Sequence, residues 1–124
     1  MARVPIIRVG DILLATIQED LRDRDALALQ ETLTGELERT GATGVLLDFS
    51  VVQTVDSFLG RTLNDVVAAI RLLGAKTVVV GIQPAVAVTL VELGLELKGV
   101  HTALDSERGL RLLGAPLSTT RARR

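Results

Sequence analysis

The sequence predicts an α/β domain in which a mixed sheet of four or five strands carries about four helices. Three observations lead there. Val45-Leu46-Leu47 and Thr77-Val78-Val79-Val80 are short, continuous apolar runs, as expected of strands buried on both faces. Between them Leu59, Leu63, Val66, Ile70 and Leu73 advance by steps of three and four residues and stop at Gly74, which describes a helix crossing over a parallel sheet. Finally, 124 residues at 48% hydrophobic content supply one core, whereas two domains would each be too small.

Taken in order, VPIIRV and DILLATIQ flank Gly10-Asp11, a pair suited to a tight turn, so residues 3–9 and 11–18 read as an antiparallel hairpin with Pro5 marking an edge strand. From Asp23 to Thr40 the positions Ala26, Leu29, Leu33 and Leu37 form one apolar stripe, and Gly41 stops the helix. The β-α-β unit described above follows. After Gly81, Pro84 suits a first helical turn, and Val86, Leu90, Leu93 and Leu97 give that helix its core face. A second stripe, Val88, Val91 and Leu95, makes it apolar over more of its circumference than one contact needs, so it is either sandwiched or an interface with another subunit. His101-Thr102-Ala103-Leu104 reads as a short final strand, and Asp105 caps a last helix through Leu113, weakened by Gly109. Residues 1–115 form the domain, and 116–124 read as a polar, basic, disordered tail.

Composition removes whole classes of function. Fourteen Lys and Arg against fifteen Asp and Glu give a net charge of −1 and no field for nucleic acid. With no cysteine and one histidine, His101, there is no thiol chemistry and no basis for a metal site. No apolar stretch approaches the roughly 18 residues of a membrane span, and charges interrupt the N-terminus, so a cytoplasmic protein without a membrane anchor is expected. Phe49 and Phe58 are the sole aromatics, too few for stacking platforms.

Ser57 is the residue with chemical potential. It follows the loop Thr54-Val55-Asp56 and opens a helix, where it can serve as N-cap. The same position also tolerates a phosphate, because helix N-termini present unpaired N–H groups, while Asp56 and Asp48 would oppose the new charge. A serine nucleophile needs a base and an oxyanion site; His101 has no evident relation to Ser57 and no G-x-S-x-G elbow is present, so no catalytic residue is assigned. Asp48 ends a central strand but lacks the acidic partners of a magnesium-dependent phosphoacceptor, and reads as loop-stabilising. Gly81-Ile82-Gln83-Pro84 lacks the glycines of a phosphate loop. The stretch from Glu19 to Asp25 alternates in charge, as a solvated helix start does.

Asp56-Ser57-Phe58, Gly74-Ala75-Lys76, the block GIQPAVAVTLVELG from Gly81 to Gly94, and Thr102-Ala103-Leu104-Asp105 together resemble RsbS-type STAS proteins of the bacterial stressosome, over about residues 3–114. The resemblance implies the STAS fold and a scaffold of the anti-sigma factor antagonist superfamily. It implies co-assembly with sensor-bearing RsbR-like paralogues into a large oligomer that holds an RsbT-like serine kinase. Phosphorylation at Ser57, flanked by Asp56 and Phe58, would release the kinase into a stress-response pathway, and an RsbX-like phosphatase would reset the serine. No cofactor is implied for the chain itself. An anti-sigma factor antagonist acting outside a stressosome is the alternative.

Overall fold

A computed structural model describes residues 4–19, 21–94 and 99–114. The hairpin forms where the turn signal places it, with β1 (Ile6–Val9) antiparallel to β2 (Ile12–Thr16) and Gly10 at φ 59° between them. Both strands are shorter than the apolar runs. Pro5 lies outside β1, and Ile17, though fully buried, belongs to the loop that follows β2.

Helix α1 (Asp23–Thr40) has the predicted bounds because both ends are chemically marked. The Arg22 N–H donates to the Asp25 carboxylate at the start, and the Gly41 N–H donates to the Leu37 carbonyl at the end. β3 (Gly44–Asp48), α2 (Ser57–Leu72), β4 (Lys76–Val80), α3 (Pro84–Glu92), β5 (Val100–Ala103) and α4 (Ser106–Leu112) complete the order. The strands lie in the sheet in their chain order, β1 to β5, and β2 through β5 are parallel.

That order decides the layering. Successive right-handed crossovers running one way across a sheet place their helices on the same face. α1, α2 and α3 accordingly share one core with Leu13, Ala15, Val45, Leu47 and Val79, to which Leu33, Leu63, Val66, Ile70 and Val86 contribute. The opposite face carries a smaller core of Ile12, Leu46, Val78 and Val80, against which Leu110 and Leu113 of the α4 region pack. Gly109, which weakens α4 by propensity, is required by this contact. A Cβ there would stand 2.6 Å from Val80 Cγ1 and 2.8 Å from Leu46 Cδ1, closer than carbon atoms approach.

Two expectations are corrected. Leu104 is 76% exposed and lies beyond β5, which begins one residue earlier than expected, at Val100. α3 is not sandwiched: Val86 and Leu90 are buried, but Val88 is 56% and Val91 75% exposed. Leu95, Leu97 and the segment 116–124 lie outside the described residues.

Candidate functional site

Parallel pairing of β2 to β5 brings the loops after these strands to one edge of the sheet. Residues 49–56, which lead into α2, occupy its middle and are fixed from within and from both sides. From within, Phe49, Val52 and Val55 are buried, and the Asp48 carboxylate accepts the Ser50 N–H at 2.9 Å. Asp48 therefore has the loop-stabilising role expected of it. On one side Gln83 Nε2 donates to the Ser50 carbonyl at 2.9 Å, and Gly81, at φ 72°, lies where a Cβ would approach the Ser50 backbone at 3.1 Å. On the other side the Glu19 carboxylate accepts the Gln53 N–H at 2.5 Å and the Thr54 hydroxyl at 3.4 Å.

This clasp from Glu19 has no sequence signal. Its charge-rich neighbourhood reads as a solvated helix start, yet its bonds reach 34 and 35 residues along the chain. Gln83 belongs to the Gly81–Gly94 block noted in the sequence, but nothing in that block marks its bond to the Ser50 carbonyl.

The helix start differs from the expected one. Asp56, not Ser57, is the N-cap of α2: its backbone is extended, with φ −96° and ψ 176°, and Asp56 Oδ1 accepts the Leu59 N–H at 2.8 Å. Asp and Ser cap about equally well, so adjacency decides between them, and Asp56 reaches the third helical N–H. Ser57 becomes the first helical residue, exposed, with no side-chain hydrogen bond among the described residues. Its hydroxyl is left free for chemistry. Phe58 is half-buried against the larger core and holds the first turn down.

Other candidates are not brought to this place. His101 is exposed on β5, in register with Val78 and so on the sheet face that α4 covers, whereas Ser57 opens a helix on the opposite face. A Ser57–His101 pair is excluded by that separation. Among the described residues no group of three or more His, Asp or Glu side chains is gathered to hold a metal, and no helix is long and apolar enough to cross a membrane. Open surface depressions run along α1, one beside Glu31, Leu37 and Leu73 and another beside Arg24 and Leu27.

The sequence profile of the STAS domain matches residues 3–107. RsbT co-antagonist protein RsbRA of Bacillus subtilis (strain 168) is 30% identical over 99 residues, 80% of this chain and 35% of that protein. The chain spans about a third of the length of the curated co-antagonist relatives it matches. Among solved structures, a serine-to-glutamate variant of RsbS from Moorella thermoacetica superposes with a TM-score of 0.82 at 38% identity, covering 91% of this chain and 96% of that one. A chain from a structure of the stressosome, a signal integration and transduction hub, gives 0.80 at 38% identity, covering 89% and 96%.

Proposed function

The chain belongs to the STAS domain family, and on that premise we propose that it is a stressosome scaffold that holds a serine kinase and releases it on phosphorylation at Ser57. The observation that carries the reading is the overlap, along nearly the whole length of both chains, with RsbS and with a stressosome subunit. The RsbS relative exchanges a serine for glutamate, a hydroxyl for a fixed negative charge, which is the kind of change a phosphoserine switch would respond to.

The site supports the chemistry from this chain's side. Ser57 offers an exposed hydroxyl on a rigid platform, with its helix already capped by Asp56. In the transfer Ser57 Oγ bonds to the γ-phosphorus of ATP, the bond to the ADP oxygen breaks, and the hydroxyl proton passes to a base on the kinase. The chain is thus a substrate of an RsbT-like kinase and not itself an enzyme. Phosphorylation adds about −1.5 to −2 charges beside Asp56, and a partner docked on Asp56, Ser57 and Phe58 is displaced by repulsion and by the cost of dehydrating the phosphate. An RsbX-like phosphatase reverses the change, and the assembly is a large cytoplasmic co-oligomer with RsbR-like paralogues. Val88 and Val91 on α3, together with Leu95, are its candidate contact surface.

Incubation with an RsbT-like kinase and ATP, followed by mass spectrometry, is expected to place one phosphate on Ser57. Modification that persists in Ser57→Ala removes the assignment. Sizing with an RsbR-like paralogue is expected to give a large particle; a small complex with an anti-sigma factor in its place would favour antagonism outside a stressosome.

A further inference from the structure

Because Asp56 takes the cap, Ser57 stands inside α2, and this changes which side chains it meets. Within a helix, residues four apart lie one above the other on the same face. Four residues beyond Ser57 is Arg61, also exposed and within α2. None of the ion pairs among the described residues engages Arg61. Asp65, its neighbour one further turn along, is exposed as well and makes no ion pair with it. A serine at the cap would not share this register; a serine at the first helical position does.

We propose that Arg61 holds the phosphate once Ser57 is phosphorylated, pairing with it along the flank of α2. The inference rests on Ser57 being the acceptor. An anion four residues N-terminal to a cation is the favourable orientation of a helical pair, and a guanidinium presents its N–H groups in a fork that matches phosphate oxygens. The carboxylates nearby do not compete for the same role. Asp56 is bound to the Leu59 N–H, Glu19 to Gln53 and Thr54, and Asp48 to Ser50, so each repels the phosphate from a fixed position. The phosphate is pushed from the loop and drawn toward Arg61.

The pairing makes phosphorylation a double change. The face around Ser57 gains a dianion and, at the same time, loses an exposed cation that a kinase docked there could use. Release then comes from withdrawal of Arg61 as well as from repulsion.

The test installs phosphoserine at position 57 of the full chain by genetic code expansion, which bypasses any kinase, and titrates the phosphate by phosphorus NMR at low ionic strength. The second pKa of the phosphate is expected to lie lower with Arg61 present than in Arg61→Gln, by roughly 0.3 pH units. Arg61→Lys is expected to recover part of the difference, and high salt to shrink it. Equal second pKa values in all three chains overturn the proposal. Arg61 is exposed, so its replacement leaves the core intact, and thermal melts of the three chains check this. Failure of a kinase to modify Ser57 is a separate result that overturns the acceptor reading, while the titration judges Arg61 by itself.

Discussion

Asp56 and Ser57 are adjacent and cap helices about equally well, and it is the Asp56 carboxylate that accepts the Leu59 N–H. Asp56→Ala is expected to lower unfolding free energy by about 1 kcal/mol, seen as a lower denaturant midpoint at unchanged slope. Ser57→Ala is expected to shift stability by less than about 0.5 kcal/mol while abolishing phosphorylation. Equal losses in the two variants would return the cap to Ser57. Glu19→Ala is expected to speed hydrogen exchange at the Gln53 amide roughly fivefold without moving global stability, since one hydrogen bond is worth about 1 kcal/mol net. Unchanged exchange would show that the loop is held by Gln83 and its buried valines alone. The Ser57 region is legible in the sequence as a helix start, but the sequence reading places the cap on Ser57, one residue past Asp56, which takes it. The Glu19 clasp was not legible, because nothing local marks a bond to a loop 34 residues away.

Helices are legible in the sequence where one stripe of apolar residues meets marked ends, as in α1, and less so where hydrophobicity runs round the helix, as in α3. Composition alone leaves α3 either buried or an interface; the exposure of Val88 and Val91 removes the first possibility. Replacing both by serine is expected to weaken co-assembly with an RsbR-like paralogue by roughly 30-fold, if about 2 kcal/mol of apolar burial is lost. Analytical ultracentrifugation reads the change, and unaltered assembly would move the interface elsewhere. On α1, hydrogen bonds from Arg39 hold the Glu36 carboxyl below its usual value, helped by the positive charge nearby. A lowered carboxylate pKa in the folded state contributes stability above the unfolded value and loses it as pH falls through the folded one. Carbon-detected NMR titration is expected to show the Glu36 midpoint rising in Arg39→Gln.

At the scale of the molecule, the sheet was predictable because its two central strands are uninterrupted apolar runs separated by a helix. The edges were less so: β1 and β5 are four residues each, and Leu104 extends the apolar pattern past the end of pairing. Gly109 illustrates why propensity misled. It weakens α4 as an isolated helix, yet its missing side chain is what lets α4 lie on Val80 and Leu46. Gly109→Ala is therefore expected to destabilise the domain by about 1–3 kcal/mol, in spite of alanine's better helix propensity, through overpacking. A stabilised variant in urea melts would contradict the close approach. The sheet's spatial order is also its order of synthesis. Each new β-α unit leaving a ribosome can dock beside the one before it, without waiting for a distant partner or threading between strands already paired. The layer formed by α4 is different, since Leu46, Val78 and Val80 stay uncovered until residues 106–113 have emerged. A nascent chain halted before that point would display an apolar sheet face, and it is at this stage of production that chaperone capture or self-association has its opening.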